Sequence, residues 1–457
     1  MFEIVKEYTG KGLFLFNIND KEIYLDLDFR LIQYSNARII IKCYSNEELL
    51  SSQMNLLIEE FDNNSLKTSY IGGTIQNIDG IEGTIEIEEA YVINGNFIPS
   101  DNAPIMILRS FEPVNIVFKE VPDEDLMVCG GLTNFIFGSC ENINGFSGFK
   151  ADMDSFGVSF IKCDDYSKKV KSLQKEEETI LVTSKACLNV SNRDGSDFNE
   201  LFTNLTNLLS YAHRTRISCI YEDYIVDGEL LKTILRPIIT KKFNKENDLI
   251  DSDHLGNCNL KDYLEVTYPK YVEFKNQFGL NIVITIYLES FEMLYLDSGF
   301  LLGFTALETL LDGYNEIRNE EGTEIRPGIA SKNKKEIKKI LKRHKIVDYE
   351  LISKKISKKV SYPHPSVNDK LNELSKDTRF LFEIKKYDNE LGNIRNKIVH
   401  TGKFPEALDM GGKKRDISLL TEYGRLIYLI DRILLTILGY KGKPFFDEFN
   451  RSMTHLK

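Results

Sequence analysis

The sequence predicts an α+β protein: a β-rich, sandwich-like N-terminal domain followed by an all-α helical bundle. Two observations carry this. Short runs rich in Ile, Val, Phe and Tyr, separated by turn residues, fill roughly the first 190 positions, whereas apolar residues at helical spacing dominate from about residue 280. A chain of 457 residues is also long enough for two or three domains, each with a substantial core. The expected boundaries are 1–190 for the β-rich domain, 191–275 for a mixed segment that closes or links it, and 276–457 for the bundle.

In the first region the predicted strands are "GLFLFNI", "KEIYLDLDF", "ARIIIKCYS", "GTIEIEEAYVI", "APIMILRSF", "VNIVFKEV", "GVSFIKC" and "ETILVTS". β-Branched and aromatic residues favour a pleated, half-buried surface, and many short strands at this spacing suggest a sandwich or partly closed barrel. "YIGG" reads as a turn signal, "CGGL" at 129–132 as a turn, and "SNEELLSSQMNLLIEEF" as a helical insertion. In the mixed segment, "SDFNELFTNLTNLLSYAHRT" has Phe198, Leu201, Leu205, Leu208 and Leu209 at helical spacing, with Ser196 as N-cap and His213 as a terminal cap. "ISCIYEDYIV" and "LLKTILRPII" read as strands, and "LKDYLEVTYPKYVEFKNQFG" as helices broken by Pro269.

Beyond residue 280, "NIVITIYLESFEMLYLDSGFLLGFTALETLLDGYNEIRNE" reads as one long helix or two joined near Gly299. "SKNKKEIKKILKRHKI" places Ile337, Ile340 and Leu341 on one face, with Ser331 as cap. "DISLLTEYGRLIYLIDRILLTILGY" has a wide apolar stripe including Leu420 and Ile430, ending at Gly439. Such a stripe is the face of a bundle helix. The region is expected to be helical to its end.

Net charge is −11, which argues against a general nucleic-acid coat. The charge is uneven. Residues 326–359 hold thirteen Lys or Arg against three acids, a local +10 that leaves −21 for the remainder. A solvated helix face is the bland explanation of this run; an electrostatic guide for RNA phosphate is the functional one. Lys334, Lys335, Lys338, Lys339, Lys342 and Arg343 are its candidate RNA-binding residues, and Lys413, Lys414 and Arg415 extend the patch. The acidic first domain suits a protein or small-molecule partner.

The seven cysteines have no CxxC spacing and their number is odd. They read as reduced thiols of a cytoplasmic protein, with neither a disulfide framework nor a zinc site. His254, in "DLIDSDHLGNC", lacks clean ligand spacing, and His364 in "YPHPS" reads as a turn residue. No metal or cofactor is expected. "MFEIVKEYTGKG" carries acidic residues where a secretory signal needs a basic and then an apolar run. "SGFLLGFTALETLL" contains Glu308 and ends at Asp312, so no membrane association is expected.

The stretch "GNIRNKIVHTGK", residues 392–403, combines Arg395, Asn396 and His400 ahead of Gly402. On a helix Arg395 and His400 lie about 140° apart, at roughly 100° per residue. One helix does not converge them on a phosphate, but a two-fold dimer places two Arg and two His around a common cleft. Histidine titrates near neutrality and can move a proton. Arginine stays charged and binds phosphate oxygens bidentately. Asn396 can bond phosphate or hold the imidazole.

"IRNKIVHTG" resembles the Arg-Asn-x-x-x-His signature of HEPN ribonucleases, and "LLGFTALETLLDGY" is similar to the opening helix of that bundle. The resemblance covers about residues 285–440. With the β-rich region before it, the chain resembles the ApeA-like HEPN anti-phage defence proteins. The resemblance implies a metal-independent endoribonuclease, with tRNA as the expected substrate and 2′,3′-cyclic phosphate and 5′-hydroxyl products. It assigns catalysis to Arg395, Asn396 and His400, and leaves open whether Glu308 or Asp312 supplies an acidic group. It further implies a homodimer or higher homo-oligomer, abortive infection as the outcome, and a phage-derived trigger sensed by the N-terminal domain. The alternative is a non-catalytic HEPN-like RNA-binding or dimerisation module coupled to a β-rich recognition domain.

Overall fold

The computed structural model describes residues 2–18, 21–44, 56–61, 66–95, 104–122, 126–138, 141–143, 146–153, 156–175, 180–190, 198–243, 248–250, 259–323, 325, 331–344, 350, 365–380, 382–385, 388–409 and 414–441. The chain divides into two compact units, one through Glu265 and the other Val266–Lys441. The architecture is α+β, an antiparallel sheet region followed by a helical region.

The strands of the first unit are β1 (Ile4–Ile18), β2 (Lys21–Tyr34), β3 (Ile39–Tyr44), β4 (Lys67–Thr68), β5 (Tyr70–Gln76), β6 (Glu82–Ile87), β7 (Ala90–Gly95), β8 (Met106–Ser110), β9 (Val114–Val117), β10 (Leu126–Thr133), β11 (Glu141–Ile143), β12 (Phe146–Met153), β13 (Phe156–Lys162), β14 (Val182–Val190), β15 (Cys219–Val226) and β16 (Glu229–Leu235). They form one continuous sheet in the order β11-β12-β13-β14-β10-β15-β16-β9-β6-β5-β1-β2-β3-β8-β7-β4. β4 and β5 are separated by Ser69 alone, whose N–H bonds the Leu15 carbonyl of β1 at 2.8 Å. The strand that pairs with β7 thus runs on into the strand that pairs with β1, and β1, β2, β3, β8, β7 and β4/β5 close on themselves as the partly closed barrel that the sequence suggests.

Alternation explains the core. In β2, Ile23, Leu25, Leu27, Phe29 and Leu31 are buried while Tyr24 and Asp26 face outward. These residues join Phe14, Phe16, Ile85, Ile116, Leu235 and others in one apolar cluster that gathers strands from distant positions in the sheet order. A sheet of this width twists and curls, which lets it enclose its own core.

Several expectations are corrected. "YIGG" lies within β5 and "CGGL" within β10; neither is a turn. A Cβ on Gly131 would sit 2.2 Å from the Tyr221 ring, and one on Gly130 would sit 2.6 Å from Cys219 Sγ. These glycines are strand positions across which neighbouring side chains lie, a role that composition does not separate from a turn. Cys129 and Cys187 are joined by a disulfide, contrary to the reading of all cysteines as reduced thiols. The two face each other in register on β10 and β14 although 58 residues separate them, a proximity that local spacing cannot reveal. Cys43, Cys163 and Cys219 are free; Cys140 and Cys258 lie outside the described residues.

The helices are α1 (Tyr166–Gln174), α2 (Phe198–His213), α3 (Asn259–Phe274), α4 (Leu280–Phe291), α5 (Leu296–Glu320), α6 (Ser331–Arg343), α7 (Val367–Leu374), α8 (Leu391–Thr401) and α9 (Leu419–Ile437). Residues 56–61 of the expected helical insertion are helical; 45–55 and the cap Ser196 lie outside the described residues. α3 runs unbroken through Pro269, because the buried Tyr263, Leu264 and Tyr271 hold both halves in packing that outweighs one missing N–H. α4 and α5 are separate helices, and the break at 292–295 precedes Gly299. Gly299 is instead a contact point in the first turn of α5: a Cβ there would meet the Ser290 carbonyl at 2.7 Å.

In the second unit α5 packs against α4, α7, α8 and α9. Its Phe300, Phe304, Leu307, Leu311 and Tyr314 are buried, as are Leu426, Ile430 and Leu434 of α9. Leu420, expected in the α9 stripe, is 67% exposed, and Ile340 of α6 is 57% exposed, while Leu341 is buried. Each apolar stripe is narrower than its composition suggests. The region is not helical throughout, since Ala407–Asp409 and Lys414–Asp416 form a small antiparallel hairpin between α8 and α9. Among the described residues no helix is long and apolar enough to cross a membrane.

Candidate functional site

α8 carries the three residues of the signature. Asp388, in the short 3-10 turn Asp388–Glu390 that leads into it, is buried and accepts from Arg432 Nη2 of α9 at 2.8 Å and from the Lys385 backbone N–H. Leu391, Ile394 and Ile398 then bury one face of α8. The helix stops at Gly402, whose φ of 67° suits a residue without a Cβ and whose N–H bonds the Ile398 carbonyl at 2.8 Å. The result is a short helix with a fixed rotation, and its opposite face carries Asn396, Val399 and His400 in solvent.

Arg395 lies at the margin between these faces, about one-third exposed. Its Nη2 donates to Glu308 Oε2 of α5 at 3.4 Å and its Nη1 to Asn396 Oδ1 at 3.2 Å. The guanidinium carbon lies 5.9 Å from the centroid of Phe304, one turn before Glu308 on α5. Five N–H donors leave the guanidinium with bonds to spare after these two contacts. Of the two candidate acids on α5, Glu308 faces Arg395; Asp312 is instead ion-paired with Lys370 of α7.

His400 is exposed in the last turn of α8, and its imidazole makes no hydrogen bond or ion pair with any described residue. Five residues separate it from Arg395, about 7.5 Å along the axis. One chain therefore brings together Arg395, Asn396 and Glu308 and leaves His400 apart from them. Glu308 carries no signature in the local sequence, and only the packing of α5 on α8 selects it over Asp312.

The basic segment is helical where described. Lys338, Lys339, Lys342 and Arg343 are exposed on α6, and Lys338 pairs with Glu350 at 2.8 Å. Lys334 and Lys335 fall in the first turns of the same helix. Arg326, Lys345, residues 351–360 and Lys413 lie outside the described residues, as do His254 and His364. His213 ends α2, buried, with Nδ1 3.3 Å from Asp248 and its ring edge-on to Phe135, which is a packing role.

No protein-family model, curated protein or solved structure matches the chain.

Proposed function

We propose that the chain is a metal-independent endoribonuclease of the HEPN type, cutting tRNA in anti-phage defence by abortive infection. The observation that carries this reading is the arrangement on α8: Arg395 held between Glu308 and Asn396, and His400 open to solvent one and a half turns on. RNA brings its own nucleophile, the 2′-hydroxyl, so the enzyme has to move protons and stabilise the phosphorane. His400 supplies proton transfer. Arg395, oriented by Glu308, keeps N–H donors for the non-bridging oxygens. Asn396 steadies the guanidinium and can reach phosphate. Expulsion of the 5′-oxygen leaves a 2′,3′-cyclic phosphate and a 5′-hydroxyl. Because Arg395 and His400 do not converge within one chain, the working site combines α8 from two copies in a homodimer. The exposed cations of α6 draw RNA phosphate toward this unit, and the acidic sheet unit senses the phage-derived trigger.

A second reading is favoured by the Arg395–Glu308 ion pair alone: the pair braces α5 against α8 in a bundle that binds RNA or dimerises without cutting. The two are separated by incubating wild type, Arg395→Ala and His400→Ala with total tRNA in EDTA and mapping the ends. Cleavage by wild type alone, with cyclic-phosphate ends, is the expected result. Cleavage of equal extent by all three would remove both residues from the chemistry.

A further inference from the structure

The sheet unit contains a cavity of about 490 Å³ that the nuclease reading does not use. Pockets of this size hold small molecules. It is lined by residues of β10, β13, β14 and β15 together with the start of β1. Gly131 allows the Tyr221 ring to lie flat across β10, and the disulfide Cys129–Cys187 sits beside that ring in the cavity wall.

The charges of the wall are unbalanced. Lys169 is neutralised by Glu3 at 2.9 Å and also bonds the Val182 carbonyl. Lys162 lies over the Tyr166 ring at 4.4 Å, which leaves Lys185 as the third lysine of the wall; Asp164, the wall's second acid, is exposed. The Lys185 ammonium makes no hydrogen bond or ion pair with any described residue, and Lys185 lies two positions before Cys187 on the same face of β14. A cation is thus placed next to a disulfide inside a ligand-sized cavity.

We propose that this cavity is a thiol–disulfide exchange site that takes a small anionic thiol and becomes S-thiolated at Cys187. The thiolate attacks Cys187 Sγ, the S–S bond breaks, and Cys129 leaves as a thiolate that takes a proton from solvent. A second thiol then attacks the mixed disulfide, releasing the oxidised small disulfide and leaving both cysteines reduced. The two electrons come from the two small thiols. Cys187 is the sulfur attacked because it is the more exposed of the two and has Lys185 beside it. Cys163 shares the cavity but cannot act as the internal thiol. It lies four residues beyond Ser159, the residue paired with Cys187, which is roughly 13 Å along the strand. The bond can open without loss of the sheet, because β10 and β14 remain hydrogen-bonded from Leu126↔Val190 to Thr133↔Val182.

The test uses the purified, oxidised full-length protein, with reduced glutathione as the anionic thiol and 2-mercaptoethanol as the neutral one. Reactions are quenched with acid, and adducts are located by peptide mapping. Each rate is divided by that thiol's rate on an exposed model disulfide. The native protein is expected to form a glutathione adduct at Cys187, with Cys43 and Cys219 unmodified, and a normalised preference for glutathione of about tenfold. Raising ionic strength should erase the preference, and Lys185→Glu should reverse it with an unchanged circular dichroism spectrum; Lys185→Gln, expected to lose the preference, is the variant to use if the charge reversal impairs folding. Free thiols at both positions in the oxidised protein, a bond that opens only on denaturation, or equal normalised rates for the two thiols would each overturn the proposal.

Discussion

Glu308 of α5 accepts a charge-assisted hydrogen bond from Arg395 of α8 at 3.4 Å, across 87 residues of sequence. Both side chains are about one-third exposed, so the pair stabilises the fold by about 1 kcal/mol or less. Its consequence is orientation. Glu308→Gln is therefore expected to slow single-turnover RNA cleavage with little change in melting temperature. Arg395→Ala is expected to cost about a hundred- to a thousandfold. Adding Glu308→Gln to Arg395→Ala should cost little more, because the positioning residue then has nothing to position. Additive losses in this cycle would mean that Glu308 acts independently of Arg395.

The exposed cations of α6 give a salt-dependence prediction. Reversing Lys339, Lys342 and Arg343 to glutamate should weaken RNA binding similarly across sequences. It should also flatten the plot of log affinity against log salt by about 0.7 for each phosphate that the protein no longer neutralises. An unchanged slope would make α6 a solvated face.

Asp377 provides a pH test of the helical unit. Side-chain bonds from Arg379, at 3.0 and 2.7 Å, hold its carboxyl down to about 2, helped by the Tyr314 hydroxyl at 3.1 Å. A carboxyl depressed below its usual 3.8 adds stability that is complete above that value. The contribution is lost as pH falls from there through about 2. Asp377→Asn should thus cost on the order of 2 kcal/mol at pH 7, and the difference from wild type should vanish near pH 2 in urea titrations.

Two glycines should respond oppositely to an added side chain. Gly131→Val drives a side chain into the Tyr221 ring and is expected to destabilise the sheet unit by about 1–3 kcal/mol or more. Gly392, in the first turn of α8, has nothing within 4 Å of a Cβ. Gly392→Ala should stabilise α8 by up to about 1 kcal/mol. Thermal melts of both variants check the pair.

Much of the fold was legible from residue pattern. Period-two runs such as "KEIYLDLDF" and period-3.6 runs such as "LTEYGRLIYLIDRILLTI" became β2 and α9, because alternation and helical spacing are local properties of the chain. The placement of Arg395, Asn396 and His400 on one helix ending at Gly402 was visible for the same reason. The misreadings were at glycine pairs, at Pro269 and at the cysteines. A glycine serves a turn or a close approach, and only the neighbours show which; Tyr221 and Phe202, far along the chain, decide it for Gly130 and Gly131. Pro269 stays within α3 because of packing that the local sequence does not contain.

The sequence by itself determined the β-rich first region and the largely helical second one, the basic run and the residue types on α8, since each depends on backbone propensity and side-chain periodicity within a few residues. Tertiary structure alone decided that sixteen described strands share one sheet, that Glu308 rather than Asp312 meets Arg395, and that Cys129 and Cys187 bond beside a lysine-lined cavity. These are contacts between distant segments, set by strand register and helix packing, and no short window of sequence encodes them.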